Sequence, residues 1–115
     1  MSKHGYYENP QKSAYSIEYY DSTWEYDYMK ELEEDDTAVK WTKNHGIRIP
    51  YIDDDNKYKY YRPDFLVERT DGAIEMVEMK SEHLLNTPNT KRKAEYARKW
   101  CKARGIEYRL ISKYQ

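Results

Sequence analysis

Two carboxylates and an ammonium stand at a spacing that adjacent strands can bring to one point. Asp64 falls in Arg62-Pro63-Asp64-Phe65-Leu66-Val67, and fourteen residues later Glu78 falls in Met76-Val77-Glu78-Met79-Lys80. Two carboxylates at one place make a site for a hard cation, and a lysine beside them can orient or deprotonate a water. The chemistry this suits best is metal-assisted hydrolysis of a phosphodiester. The plain alternative is a surface ion pair between Lys80 and Glu78, with Asp64 solvated. The apolar flanks Phe65-Leu66-Val67 and Met76-Val77 speak for central positions, where acids are kept only if paired or bound to metal.

The elements that must position these residues follow from the pattern. Lys57–Glu68 and Ala73–Lys80 read as strands, joined by Thr70-Asp71-Gly72, a three-residue hairpin loop with glycine in the left-handed position. If Arg69 pairs with Ala73, Asp64 falls opposite Glu78, and alternation puts Lys80 on the same face. A two-residue turn would shift the register by one and send Asp64 to the other face. Before this hairpin, Gly46–Ile52 reads as a strand whose Pro50 marks an edge or a bulge. Val39 and Trp41 alternate with Lys40 in a short extended piece or a bridging turn. The acids Asp53-Asp54-Asp55 form a turn with Asn56 rather than a calcium loop, for which the frame is missing.

A first helix opens at Ser22-Thr23-Trp24-Glu25, with Ser22 as cap, and ends near Glu34-Asp35-Asp36. Glu25 has two readings. Its carboxylate turns back to the Ser22 amide in a capping box, or it projects toward the sheet as a further metal ligand. A second helix runs from Asn89 or Thr90 to about Arg104, is closed by Gly105, and carries the apolar stripe Ala94, Ala97, Trp100 and Cys101. Lys91, Arg92 and Lys93 occupy its first turn, the end that disfavours cations. Phosphate would offset that cost, and a solvated face is the alternative. Ile106–Ile111 is a last strand, set parallel to a neighbour by the strand–helix–strand crossover. The whole reads as one α/β domain, a mixed central sheet flanked by helices in the order α-β-β-β-α-β. Residues 1–21 read as an arm, mobile or docked on a surface, and residues 22–115 as the core.

Composition narrows the setting. The 115 residues are enough for one domain. The net charge of −1 conceals an asymmetry: residues 1–55 hold 6 Lys/Arg against 13 Asp/Glu, and residues 56–115 hold 14 against 8. The basic half fits a nucleic-acid partner, and salt bridges between the halves are the other explanation. Fourteen Tyr against one Phe supply aromatic faces with a polar tip, suited to wet interfaces and to stacking on bases. No run approaches the roughly 20 apolar residues of a membrane span, and no signal peptide heads the chain. The lone Cys101 forms no internal disulfide, so a cytoplasmic setting is expected. His45 and His83 lack zinc spacing.

Pro63-Asp64 … Glu78-Met79-Lys80, in this order of elements, resembles the PD-(D/E)XK nucleases, which have a restriction-endonuclease-like fold. Ser22-Thr23-Trp24-Glu25, Val39-Lys40-Trp41, Ile49-Pro50-Tyr51 and Tyr60-Tyr61-Arg62-Pro63-Asp64-Phe65 are similar to the phage head-completion nucleases and the TnsA-type transposon endonucleases. The resemblance covers roughly residues 22–112. It implies DNA cleavage with Mg²⁺ or Mn²⁺, Asp64 and Glu78 holding the metal, Glu25 completing the site and Lys80 acting on water. It also implies a virus-encoded or transposon setting. No sequence-reading module is evident, so cutting is expected to be nonspecific, structure-selective or directed by a targeting or assembly partner. Paired cuts on opposite strands would need a homodimer or two visits. A nuclease-like assembly protein and an RNA substrate are the rival expectations.

Overall fold

The computed structural model describes residues 3–113, and within them the turn at Thr70-Asp71-Gly72 sets the architecture. Gly72 takes φ +89°, a left-handed value at which a side chain would be strained. Asp71 Oδ1 accepts the Ala73 amide at 2.9 Å, and the Arg69 amide donates to the Ala73 carbonyl at 2.8 Å. The strands on either side are therefore locked with Phe65 opposite Val77, Leu66 opposite Met76 and Val67 opposite Glu75. One step further along this register, Asp64 meets Glu78, as the loop length predicts.

In chain order the elements are β1 (Gly5–Glu8), β2 (Ile17–Tyr20), α1 (Thr23–Glu34), β3 (Ala38–Thr42), β4 (Ile49–Ile52), β5 (Tyr58–Tyr61), β6 (Phe65–Arg69), β7 (Ile74–Ser81), α2 (Pro88–Lys102) and β8 (Ile106–Lys113). The central sheet has the order β3-β6-β7-β8. β3, β6 and β7 are antiparallel neighbours, and β8 returns through α2 to lie parallel to β7. The result is the mixed α/β sheet that the pattern predicts.

Two strands differ from expectation. The span Lys57–Glu68 is not one strand: it breaks at Arg62-Pro63-Asp64, because Pro63 has no amide to give the ladder. β5 leaves the sheet there and pairs with β4 in a separate two-stranded ribbon, Ile49 facing Tyr61 and Ile52 facing Tyr58. The central-sheet position expected for residues 46–52 belongs to β3, which pairs with β6 through Trp41 opposite Val67. Residues 5–20 also contain elements that their polar, unperiodic sequence does not announce. β1 and β2 form a hairpin, with Tyr7 and Tyr20 packed against the core.

α1 buries Tyr28, Met29 and Leu32 against Trp41, Phe65, Val67, Val77 and Met79 of the sheet. α2 starts earlier than the sequence suggests. Thr87 is the cap, its Oγ1 accepting the Thr90 amide at 3.2 Å, and Pro88 is the first helical residue, where a missing amide costs nothing. Thr90, Ala94, Ala97 and Cys101 form its buried face, and Trp100 is half-buried. Ala97 joins Ile49, Tyr51 and Tyr61 in a second apolar cluster that fixes the ribbon to α2. The break at Pro63 lies between the two clusters.

Candidate active site

Asp64 and Glu78 are stapled to each other through the backbone. The Asp64 amide donates to Glu78 Oε1 at 3.2 Å, and the Met79 amide donates to Asp64 Oδ2 at 2.9 Å. Each carboxylate thus has one oxygen held by the neighbouring strand and one left for other partners. Lys80 stands on the same face as Glu78, its Nζ 3.9 Å from Glu78 Oε2. The Tyr61 hydroxyl exchanges a hydrogen bond with Tyr108 at 2.9 Å and lies beside Glu78, where it favours the charged carboxylate.

The electrostatics are those of two acids crowded together out of water. Burial pushes the Asp64 carboxyl up to about 8, with the charges of Glu78 and Glu25 adding to the effect and the Met79 amide and Lys43 opposing it. Burial raises Glu78 as well, against the pull of Lys80, Tyr61 and Lys93. Such a pair binds a proton in place of a cation near neutral pH. An unfolded Asp titrates near 4. Between about 4 and 8 the native protein therefore holds a proton that the unfolded chain lacks, so its stability falls as pH rises. Burial lowers the pKa of His45, whose contribution has the opposite sign and lies below about 6.5. In EDTA, the urea midpoint should fall from pH 7 to pH 9, and Asp64→Asn should flatten that slope. A slope unchanged by Asp64→Asn would locate the titration elsewhere.

Glu25 is buried in α1, but its carboxylate is already engaged. Ser22 Oγ accepts the Glu25 amide at 3.2 Å, and Glu25 Oε1 returns to the Asp21 amide at 2.9 Å, not to that of Ser22 as a capping box requires. The same oxygen receives Lys43 Nζ, which also reaches Asp21 Oδ2 at 3.0 Å. Burial works against the charge of Lys43, yet Glu25 and Asp21 outweigh it and hold its pKa above the ordinary value. Asp64 also favours that charge, so Lys43 links the Glu25 carboxylate to the site. Among the described residues no three His, Cys, Asp or Glu side chains converge as a finished ligand set. Two acidic oxygens with the rest of the shell open do fit Mg²⁺, which commonly keeps several waters and takes one or two carboxylates plus substrate phosphate oxygens.

Lys43 is also the hub of the loop that holds the Pro63 break. Glu18 of the hairpin, 1% exposed, accepts the Lys43 amide at 2.9 Å and the Thr42 hydroxyl at 2.6 Å, together with the Ser13 hydroxyl. Arg62 Nη2 donates to the Lys43 carbonyl at 2.7 Å. His45 Nδ1 accepts the Ile47 amide at 3.0 Å, so its Nε2–H is the donor to the Pro63 carbonyl at 2.7 Å. None of Glu18, Lys43 and His45 was singled out by motif or period. The only hint was a lysine following an apolar strand.

Because α2 opens at Pro88, Lys91, Arg92 and Lys93 do not occupy its first turn as expected: the Lys91 amide is already bonded to the Thr87 carbonyl at 3.0 Å, and the three side chains have separate fates. Lys91 is exposed. Arg92 Nε pairs with Asp54 Oδ1 at 3.1 Å, tying the helix to the acidic turn. Lys93 is half-buried with its Nζ over the rings of Tyr61 at 5.4 Å and Tyr51 at 5.9 Å. Burial and the charge of Lys80 lower its pKa, while Glu78 and Asp64 attract its charge. Lys93 therefore faces the carboxylate pair, and only Lys91 and Arg92 remain toward solvent.

A strand pair presenting Asp64 opposite Glu78-Met79-Lys80, backed by a helix and closed by a parallel crossover, defines a restriction-endonuclease-like nuclease core of the PD-(D/E)XK type. The family described as TnsA-like endonuclease N terminal matches residues 35–113, and the chain belongs to that family. The matched stretch contains Asp64, Glu78, Lys80 and the basic turn of α2, whereas Glu25 lies before it. No curated protein matches the chain. No helix among the described residues is long and apolar enough to cross a membrane.

Proposed function

We propose that the chain is a metal-dependent DNA endonuclease in which Asp64 and Glu78 hold a Mg²⁺, or Mn²⁺ in its place. The observation that carries this reading is the reciprocal stapling of the two carboxylates with Lys80 on their face. A bound Mg²⁺ supplies Lewis acidity toward a phosphoryl oxygen and lowers the pKa of water. The residues do the rest. The Met79 and Asp64 amides orient the two carboxylates. Lys80 holds the attacking water and offsets the charge that develops on the phosphorane-like transition state. Lys93 faces the incoming scissile phosphate, and Lys91 and Arg92 meet the backbone beyond it. Glu25 acts through Lys43 on the charge balance of Asp64, and joins the ligand set only if that ion pair opens.

Supercoiled plasmid incubated with Mg²⁺, Mn²⁺ or EDTA, beside Asp64→Ala, tests this. The expected result is nicking that needs metal and is lost in the variant, together with a rise in the wild-type unfolding midpoint on adding Mg²⁺ that Asp64→Ala lacks. Cutting that survives EDTA or the Asp64→Ala change would overturn the proposal. So would metal that leaves both plasmid and midpoint unchanged.

A further inference from the structure

The ribbon that leaves the sheet at Pro63 has a use of its own. Tyr58 and Tyr60 alternate onto one face of β5 and are 68% and 56% exposed, with ring centroids 5.8 Å apart. Nothing in the core needs them: Tyr61, which points the other way, is the ring buried against α2. The guanidinium of Arg48 lies over the Tyr60 ring at 5.0 Å. Beside it opens a concavity of about 450 Å³ lined by Asn44, Gly46, Arg48, Tyr60 and Arg62, with two cations, one amide and no carboxylate. Gly46 in this lining takes φ +71°, a left-handed value that favours glycine. Arg62 is held in place by the Lys43 carbonyl. Asn44 and Arg62 also line the adjoining hollow that leads to Tyr19, itself exposed and packed against Tyr6 with the rings tilted by 44° and centroids 4.5 Å apart. The face thus has an aromatic station on each side of Arg62, and the chain runs from it directly into Asp64.

We infer that this face binds an unpaired stretch of the nucleic-acid strand next to the bond being cut. This deepens the proposed function, on which it rests for the identity of the substrate. Bases stack on Tyr58, Tyr60 and the outer plane of the Arg48 guanidinium, Arg48 and Arg62 take the phosphates, and Asn44 meets a base edge. An exposed ring gains from a base only when that face is not already covered by the next base pair, so the platform selects splayed or single-stranded DNA over intact duplex. The charge fits beside Tyr60, where the lining is cationic in a chain whose net charge is −1; in the adjoining hollow Glu18 and Asp21 accompany Lys43 and Arg62. Tyr60 is four residues from Asp64, at most about 14 Å of extended chain, so the gripped nucleotides lie close to the carboxylate pair.

Fluorescence anisotropy in EDTA, with a labelled dT oligomer of about 16 nucleotides and a duplex of equal length, tests this without any cutting. Paired Tyr58→Ala and Tyr60→Ala changes should weaken single-strand binding roughly 10- to 100-fold and duplex binding far less. Paired Tyr58→Phe and Tyr60→Phe changes, which keep the rings, should retain single-strand affinity. Both positions are exposed, so the fold is not at stake, and a thermal melt checks it. Unchanged single-strand affinity, or an equal loss on duplex, would overturn the inference. So would a self-association of the wild type, seen by sedimentation and abolished by the alanine changes, with oligomer binding intact. Failure of the plasmid assay leaves this binding experiment standing, and a missing single-strand preference leaves the nuclease reading standing.

Discussion

Lys80→Ala should lower the kcat of plasmid cutting by roughly 10²–10⁴-fold, while DNA affinity in EDTA and the urea midpoint should stay near wild type. The separation follows from where the ammonium sits. Its Nζ is 3.9 Å from Glu78 Oε2, and its side chain is a quarter exposed, so the space left by truncation is open to water. The interaction lost is one made with the water and with the charge that appears during reaction. Lys80→Arg should not rescue the rate, because a planar guanidinium is wider and presents its donors in a rigid fork in place of the compact ammonium that meets the water. Removing Lys80 also takes away the largest pull that favours the charged Glu78, so residual activity should move to higher pH. A Lys80→Ala protein that cuts at the wild-type rate would reduce Lys80 to an ordinary ion-pair partner. A protein that also loses several kcal/mol of stability would make its role structural.

Lys43→Met is the change expected to cost most in stability, about 3–5 kcal/mol. Methionine replaces the stem of the lysine but leaves the Glu25 carboxylate in α1 without its cation, in a place where both side chains are about 10% exposed. Breaking one side of such a pair is far more damaging than removing both. The double change Lys43→Met with Glu25→Gln should therefore recover a large part of the loss, and the cycle of urea unfolding energies isolates the pair from the packing around it. Asp21, the second partner of Lys43, is 77% exposed and adds little. A single-variant cost below about 1 kcal/mol would mean that the ion pair does not hold α1 against the site.

The hairpin that carries Asp64, Glu78 and Lys80 was legible because its signals are local. A three-residue loop ending in glycine can close in one register, and alternation then carries Asp64, Glu78 and Lys80 to the same face whatever the rest of the chain does. The Pro63 break was legible only as a proline: that β5 would leave the sheet depends on Ile49, Tyr51 and Tyr61 finding α2, a contact between distant segments. The cap of α2 was misplaced because Pro88 looks like a loop residue until it is seen as the first of the helix. The Lys91-Arg92-Lys93 run looks like one surface in the sequence, but successive helical residues point about 100° apart, and the three side chains reach solvent, Asp54 and the rings of Tyr51 and Tyr61 respectively. Glu18 and Lys43 were invisible for a different reason. A buried carboxylate is recognised by the donors around it, and those of Glu18 come from Ser13, Thr42 and Lys43, up to 25 residues away.

The Glu18 contacts separate two kinds of boundary. Kinship is recognisable from residue 35 onward, and that stretch contains the carboxylate pair and Lys80. The loop that steadies the pair is nevertheless anchored from outside it, by Glu18 on the amide of Lys43 and by Glu25 on its ammonium. Residues 35–113 grafted alone into another chain would carry the inherited signature with Lys43 stripped of both acids, one of its cations left buried and uncompensated. The unit that evolution makes detectable and the unit that physics makes self-sufficient differ here by a helix and a hairpin.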